Sequence, residues 1–258
     1  MHLGYYKKVN AIKTCNIDKN IKKENNYMIS IKQIQGKGKE KNEDVVFVDD
    51  KDCNYLFVGI ADGQSLKEHS IEGGKFALSR VNEYFKKQNI GNLKLRYIDE
   101  IQYEIISVIR DGLNILAEEK GKNVFEFSST LCALVIDKNT GEWVIVNLGD
   151  GVIVGITREK QVQILSYPEN GVTKQYTYLT TSRNVLSHIR IGCGNAKDFS
   201  SVLLLTDGVR GIYRDGVIPL EISALLKQNN YLEIGKIMEK LSGKDDGTMV
   251  AVSMEEIL

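Results

Sequence analysis

Apolar residues along the chain follow two different periods, and the change of period divides it into segments. Short apolar runs bounded by Gly, Asn, Asp or Lys clusters predict strands near residues 28–34, 44–48 and 55–60. Two longer segments, 68–88 and 97–119, carry apolar residues at helical spacing. They predict two long amphipathic helices in succession.

The segments after these helices return to strand-like runs. Further strands are predicted near 130–136, 143–148, 152–156, 162–165, 185–191 and 202–205, followed by a helix near Tyr231–Leu241 and a closing strand in TMVAVSM. The gaps between the first four of these strands are too short for crossover helices, so we expect antiparallel pairing. Because strands and helices each occur in runs, the pattern predicts an α+β fold rather than a doubly wound sheet.

The pattern also indicates how the chain is divided. Residues 1–27 are rich in Lys and Asn and show no period, so we expect an N-terminal arm there that is loosely ordered or docked. Residues 28–258 contain no repeat and no linker and are predicted to form one domain. With 42% apolar residues, a chain of 258 residues can bury a sizeable core.

Charge and composition narrow the functional classes. The 34 basic and 34 acidic residues cancel, so no net field favours nucleic acid or an anionic membrane, and a phosphorylated partner must be recognised locally. The N-terminus lacks the apolar core of a secretory signal and no later stretch resembles a membrane span, which predicts a cytoplasmic protein. No C-x-x-C pair occurs, so we expect neither a zinc site nor a disulfide from Cys15, Cys53, Cys132 and Cys193.

Acidic residues recur at the ends of the predicted strands. The run VLLLTDG ends on Asp207, and although a single Asp-Gly most often marks a turn, five acidic sites share this placement. They are Glu43–Asp44, Asp62, Asp150, Asp207 and Asp245–Asp246. Gathered at one edge of packed sheets, these carboxylates would repel one another unless a cation neutralised them. Ligation by oxygen alone suits Mg²⁺ or Mn²⁺.

The motifs that carry these residues resemble, in content and order, the metal-dependent serine/threonine phosphatases of type 2C in their compact bacterial form. The matching segments are NEDVVFV, GIADG, SSTLCALVI, VNLGDGVIVGI, LLLTDGV and DDGTMVAV, which together extend over roughly residues 30–254. The resemblance implies two antiparallel sheets stacked face to face, flanked by helices, with metal ions in a cleft at one end.

The resemblance also implies a role for each acidic site. Asp62 would bridge two Mn²⁺ or Mg²⁺ ions, with the carbonyl of Gly63 on one of them. The other ion would be held by Asp207 and by Asp245, which lies three residues before Thr248. A slip of one residue would exchange Asp245 with its neighbour Asp246.

The remaining implied positions lie around these ligands. Glu43 and Asp44 would bind or orient metal waters, and Asp150 would join Asp207 at a third, weaker site. Lys39 stands where the family carries an Arg that clamps the substrate phosphate. The second motif usually continues Asp-Gly-x-Gly-Gly, whereas this chain has ADGQSLKEHS. His69 is either a solvated surface residue or a general acid.

The function implied is hydrolysis of phosphoserine and phosphothreonine in protein substrates of a cognate kinase, by a metal-activated water and without a phosphoenzyme. Asp44, Asp62 and Lys39 are its candidate catalytic residues, and a monomer is favoured. The alternative is a catalytically impaired phosphatase that acts as a binding or regulatory module. A response-regulator receiver is excluded because the few residues between Asp50 and Tyr55 cannot form a parallel crossover. GKGKEK lacks the spacing of a nucleotide-binding loop.

Overall fold

The computed structural model describes residues 18–21, 27–52, 54–171, 176–209, 212–213, 217–241 and 243–254. The strands are β1 (Asp18–Ile21), β2 (Tyr27–Ile34), β3 (Asp44–Asp49), β4 (Tyr55–Asp62), β5 (Leu131–Asp137), β6 (Glu142–Leu148), β7 (Val152–Thr157), β8 (Val162–Ser166), β9 (Arg190–Asn195), β10 (Phe199–Leu205) and β11 (Gly247–Met254). The helices are α1 (Ser70–Phe85), α2 (Ile90–Leu93), α3 (Ile98–Lys120), α4 (Leu220–Lys227) and α5 (Tyr231–Leu241), with 3-10 turns at Val124–Phe127 and Val185–Ser187.

The strands form two antiparallel sheets. One has six strands in the order β1-β2-β11-β10-β7-β8, and the other has five in the order β3-β4-β5-β6-β9. Each neighbouring pair of strands in both sheets runs antiparallel. The α+β fold of two stacked antiparallel sheets flanked by helices is therefore confirmed.

Side chains on the strands point alternately to the two faces of each sheet, and the apolar ones on the inner faces explain why the sheets stack. In β4, Leu56, Val58 and Ile60 contribute to the apolar layer between the two sheets, whereas Phe57 and Ala61 face the layer under the helices. Side chains that alternate between the faces of a strand give each strand two buried faces. The near-continuous apolar runs in the sequence are the consequence.

Helices cover both outer faces of this sandwich. α1 and α3 pack together on the five-stranded sheet, where Leu78, Val81 and Ile105 are fully buried. On the other face, α4 and α5 cover the six-stranded sheet through Leu226 and Ile234. The order of the layers is helix, sheet, sheet, helix, so both sheets are protected and the ends of the strands remain available for function.

One predicted strand, at residues 185–191, was placed too early in the chain and overlaps the observed strand only at Arg190 and Ile191. Residues 185–191 instead contain a 3-10 turn followed by the start of β9 at Arg190. Val185 and Ile189 are both buried in the layer under the helices, and the amide of Ile189 donates to the carbonyl of Val185. The rest of β9 was not predicted because it is glycine-rich: a Cβ at Gly194 would overlap the ring of Trp143.

Several features lay outside the prediction. The sequence pattern did not indicate α4, a short helix that begins after Pro219. Residues 18–21, within the predicted N-terminal arm, pair with β2, while the rest of 1–26 lies outside the described residues.

Two of the four cysteines can be described. Cys132 and Cys193 are free thiols, and Cys15 and Cys53 lie outside the described residues. No described helix combines the length and apolar character that a membrane span needs.

Candidate active site

The acidic sites meet at one end of the sandwich because of the strand register. Asp44 at the start of β3 is the direct cross-strand partner of Asp62 at the end of β4. In the other sheet, Leu205 at the end of β10 pairs with Val152 and with Met249, so the residues just beyond these strand ends lie at the same edge. Asp150, Asp207 and Asp245 occupy those positions.

A cleft with a cavity volume of about 920 Å³ opens at this end. Its acidic lining consists of Asp62, Asp150, Asp207 and Asp245, and Gly63 lies among them. Residues 176–184 form much of another part of its wall. The cleft thus joins four of the predicted carboxylates to an irregular segment for which the sequence had predicted no role.

Burial and mutual repulsion raise the pKa of two carboxylates at this end of the sandwich, Asp62 in the cleft and Asp44 beside it. Burial raises the pKa of Asp62 well above its usual range, and repulsion from Asp44, Asp207, Asp245 and Asp150 raises it further. For Asp44, burial raises the pKa to about 7, partly offset by hydrogen bonds from Thr248 and Thr206. A nearby cation would therefore stabilise the ionised form of both carboxylates.

Thr206 links Asp44 to the opposite sheet. Its hydroxyl donates to Oδ2 of Asp44 at 2.9 Å and accepts the amide of Thr248 at 2.8 Å. The amide of Asp44 donates to the side chain of Asn42 at 2.8 Å. These contacts hold Asp44 next to Asp62 and behind the cleft, so that Asp44 does not lie in the open part of the cleft.

Asp245 and Asp246 have opposite environments. The Asp246 side chain is 1% exposed and accepts hydrogen bonds from the backbone amides of Gly36 at 2.7 Å and Glu43 at 2.8 Å. The Asp245 side chain is 42% exposed and lines the cleft. Asp246 therefore ties the β2–β3 loop to the start of β11, while Asp245 is presented to the cleft.

Lys39 connects this corner to Glu43 in the first acidic motif, NEDVVFV. Its ammonium nitrogen lies 2.9 Å from Asp245 Oδ1, 3.0 Å from Asp246 Oδ2 and 3.1 Å from Glu43 Oε2. Burial lowers the pKa of Lys39, but the hydrogen bonds to the three carboxylates outweigh it and raise the pKa above its usual value. Lys39 is thus a permanent cation beside the acidic cluster.

Two glycines permit the close approaches at this site. A Cβ at Gly63 would lie 2.7 Å from the hydroxyl oxygen of Ser70, and one at Gly208 would overlap the carbonyl oxygen of Asp246. The amide of Gly63 donates to the carbonyl of Glu43 at 3.2 Å. The residues after Asp62 and Asp207 are therefore glycine because the neighbouring atoms leave no room for a side chain.

The donor set fits a hard divalent cation. The cleft offers carboxylate oxygens from separate chain segments together with a backbone carbonyl at Gly63, which are the ligands that Mg²⁺ and Mn²⁺ prefer. Within the described ranges, however, no three or more His, Cys, Asp or Glu side chains converge as a preformed metal cluster. The acidic side chains are brought to one place without being arranged around one point.

His69 lies away from this arrangement. It stacks on Phe127 with ring centroids 5.2 Å apart, and its Nδ1 lies 3.5 Å from Glu72. It is absent from the described residues that line the cleft. The contacts of His69 are those of a residue that packs the start of α1 against the neighbouring 3-10 turn.

A match to a known protein family agrees with this geometry. The sequence model described as protein phosphatase 2C matches residues 36–245, which includes Lys39 and each acidic segment up to Asp245. The chain belongs to the protein phosphatase 2C family. No curated protein is similar enough to this sequence to match it.

Solved structures share the protein phosphatase 2C fold at low sequence identity. Serine/threonine phosphatase Stp1 from Staphylococcus aureus has a TM-score of 0.66 and 16% identity over 95% of this chain and 100% of its own. RsbX in complex with magnesium has a TM-score of 0.61 and 14% identity over 93% and 100%. The serine/threonine phosphatase of S. agalactiae has a TM-score of 0.67 and 13% identity over 89% and 100%.

The cleft of this protein phosphatase 2C member includes residues that sequence reasoning missed. Thr177 donates its hydroxyl proton to Asp150 Oδ2 at 2.6 Å and so fastens the wall segment to the acidic end. Arg183 is the basic residue among the described residues lining the cleft. Thr206, which lies behind the cleft, had a visible sequence signal, because it directly precedes the strand-end carboxylate Asp207. The wall segment has no hydrophobic period, so the sequence did not indicate its role.

Proposed function

We propose that this member of the family is an active, metal-dependent phosphatase that hydrolyses phosphoserine and phosphothreonine in protein substrates. The observation that carries the proposal is the convergence of Asp62, Asp150, Asp207 and Asp245 on one open cleft. Carboxylates that raise one another's pKa in this way gain most from a divalent cation. The breadth of the cleft suits a side chain carried on a protein chain.

The proposed roles follow from where each side chain lies. Asp62, Asp207 and Asp245, with the Gly63 carbonyl, would hold two Mn²⁺ or Mg²⁺ ions, and Asp150 would contribute to a third, weaker site. When bound, these ions would lower the pKa of a water molecule and neutralise charge on the phosphoryl group. Asp44, the cross-strand partner of Asp62, and Glu43, whose carbonyl accepts the amide of Gly63, would orient water through hydrogen bonds.

Binding of the phosphorylated chain would use the wall of the cleft. Arg183 lines it and offers a planar guanidinium, a group that can pair with a phosphate through two hydrogen bonds. Thr177 holds the wall against Asp150, and this contact would position the substrate relative to the acidic end. We propose that the substrate is a protein phosphorylated by a cognate serine/threonine kinase.

A second candidate is a binding or regulatory module of the same fold without turnover. Its support is Lys39, whose ammonium group already pairs with Asp245 and Glu43, two of the proposed ligands or water-orienting groups. A resident cation at these carboxylates would compete with a divalent ion for the same negative charge.

Hydrolysis of an aryl phosphate and of a phosphothreonine peptide, with and without Mn²⁺, tests both candidates. We expect Mn²⁺-dependent release of phosphate that a chelator abolishes and that Asp62→Asn and Asp207→Asn each remove. Calorimetric Mn²⁺ titration of the same proteins should show weakened binding, and circular dichroism should show an intact fold. Metal binding without turnover would favour the regulatory module, and full turnover in chelator would refute the metal-dependent mechanism.

A further inference from the structure

Leu66 combines two properties that neither folding nor packing explains. Its φ is +68°, in the left-handed region that favours glycine, and it is 100% exposed. A bulky apolar residue in this backbone conformation adds strain, and a fully exposed side chain offers no burial in return. Its immediate neighbours are polar: Gln64 and Ser65 precede it and Lys67 follows it.

The turn that carries Leu66 is fixed at the edge of the cleft. The amide of Lys67 donates to the carbonyl of Gln64 at 3.2 Å, which closes a β-turn with Leu66 as its third residue. The amide of Gln64 donates to the carbonyl of Ser128 at 3.0 Å. Lys67 also pairs with Glu126 at 3.1 Å. The exposed side chain of Leu66 is therefore presented from a turn braced at both ends.

Leu66 lies close to the acidic end of the cleft. Gln64 and Ser65 line the cleft, and Leu66 follows them directly, four residues after Asp62. Four residues of extended chain span at most about 14 Å. Phe125 lines the same cleft and is itself about half exposed, so the rim on this side offers apolar surface beside a polar, charged interior.

We infer that Leu66 is a specificity-determining contact for an apolar side chain that flanks the phosphorylated residue of a protein substrate. The inference rests on the proposed function and adds the chemistry of the recognised sequence. Because a substrate chain is also extended by about 3.3 to 3.6 Å per residue, the contacted side chain lies within about four positions of the phosphorylated one. Its contact with Leu66 removes apolar surface from water on both sides.

The experiment uses a set of peptides in which a single Leu is moved through the four positions on each side of a phosphothreonine in a background of Ala. Each peptide is also made with a non-hydrolysable phosphonate, so that its Kd for the Mn²⁺-loaded protein can be measured by fluorescence anisotropy whether or not turnover occurs. The proteins are the parent, Leu66→Ser and Leu66→Gly. Lys160→Gly, at another non-glycine residue with positive φ, and Leu232→Ser, at an exposed Leu outside the cleft, are matched controls.

For the parent we expect at least one Leu position to bind about five- to tenfold more tightly than the all-Ala peptide, a size typical of one partly buried apolar side chain. Leu66→Ser and Leu66→Gly should reduce this preference to within about twofold, while both controls keep it. Hydrolysis of an aryl phosphate, which has no flanking residues, should change less than twofold. The Tm of Leu66→Gly should equal or exceed that of the parent, because glycine relieves the backbone conformation.

The possible failures are distinct. A parent that hydrolyses no substrate but binds the Leu peptide more tightly in a Leu66-dependent way would refute the proposed catalysis and support the contact. A flat peptide series in the parent, or a preference that survives in Leu66→Ser, would overturn the contact whatever the catalytic outcome. A large fall in the Tm of Leu66→Gly would show that Leu66 serves the fold instead.

Discussion

The ammonium nitrogen of Lys39 lies 2.9 Å from Oδ1 of Asp245, the carboxylate that the start of β11 presents to the cleft. The same nitrogen contacts Asp246, which is buried and bound to two backbone amides. One cation therefore neutralises both a structural carboxylate and a proposed metal ligand. Because of this dual contact, Lys39 should affect both metal binding and the stability of the metal-free protein, and the two effects can be measured separately.

Replacing Lys39 by Met should tighten Mn²⁺ binding and destabilise the metal-free protein. Loss of the ammonium group removes a competitor for Asp245 and leaves Glu43 and Asp246 without a charged partner. We expect the Kd for Mn²⁺ to fall on the order of tenfold and the metal-free Tm to fall by several degrees. Titration calorimetry and thermal melts in chelator provide the two measurements.

Lys39→Arg retains the charge and is the matched control, so its Mn²⁺ affinity should stay near that of the parent. An unchanged Kd in Lys39→Met would contradict the competition. The family resemblance also implies that Lys39 contacts the substrate phosphate, and this role is tested by a separate measurement. If Lys39 also contacts the substrate phosphate, Lys39→Ala should raise KM for an aryl phosphate and Lys39→Arg should match or improve on the parent.

Asp245 and Asp246 should differ in what their removal affects. Asp246→Ala deprives the amides of Gly36 and Glu43 and the Lys39 ammonium group of an acceptor in a buried place, which should cost about 3 kcal/mol or more. For a domain of this size that lowers Tm by at least about 6 °C. Asp245→Ala should leave Tm nearly unchanged and weaken Mn²⁺ binding severely.

Thermal melts in chelator and Mn²⁺ titrations of both variants check this pair. Activity should be compared per folded molecule at saturating Mn²⁺, where we expect Asp245→Ala to lose far more than Asp246→Ala. If instead Asp246→Ala folds normally and loses metal affinity, the ligand assignment moves by one residue.

The metal-free protein should lose stability as pH rises from about 5 to about 7.5. Burial raises the pKa of Asp44 to about 7 in the folded state, and burial also raises that of Asp62, whereas an unfolded Asp titrates near 3.9. The folded state therefore binds more protons in this range, and stability falls as those protons are lost. Melts in chelator across this range should show a falling Tm.

Two comparisons make the pH effect specific. Asp44→Asn should flatten the fall because an amide carries no charge at any pH in the range. Saturating Mn²⁺ should raise Tm more at pH 7.5 than at pH 5, since a cation stabilises the ionised carboxylates. A Tm of the chelated parent that rises over the same range would contradict the environment described for Asp44 and Asp62.

The sequence predicted the fold well where one periodicity persisted over several residues. β4 and β10 are buried on both faces, and α1 and α3 bury one apolar stripe, so each left a clear pattern. The part of β9 after Ile191 left none, because its glycines accommodate the side chains of Ile145 and Trp143 from the next strand. Its strand character depends on tertiary packing rather than on its own residues.

The location of the candidate site was predictable because its acidic residues lie at strand ends, and those ends meet at one edge of the stacked sheets. The acidic residues at the ends of β4, β6 and β10 converge on one cleft because antiparallel pairing aligns those ends. The distinction between Asp245 and Asp246 needed the three-dimensional contacts, since both follow the same turn. The wall contact between Thr177 and Asp150 joins residues 27 positions apart with no shared pattern, so no sequence signal announced it.

Thr206 should prove to be a positioning residue for Asp44. Its hydroxyl donates to Asp44 and accepts the amide of Thr248, and so joins the edges of the two sheets behind the cleft. Thr206→Val keeps the shape but leaves a buried carboxylate oxygen and a buried amide without these partners, which should cost about 2 to 4 kcal/mol and lower Tm by roughly 5 to 12 °C.

Because loss of the Thr206 hydroxyl also removes a hydrogen bond that favours the ionised form of Asp44, the pKa of Asp44 should rise further in Thr206→Val. The fall in metal-free Tm with pH should then extend to higher pH than in the parent, a shift that a purely structural loss would not produce. Thr206→Ser retains the hydroxyl and should restore both the pH profile and Mn²⁺ affinity. If Thr206→Val and Thr206→Ser show the same pH profile, the hydroxyl does not position Asp44, and the coupling between the two sheets at this site must depend on other contacts.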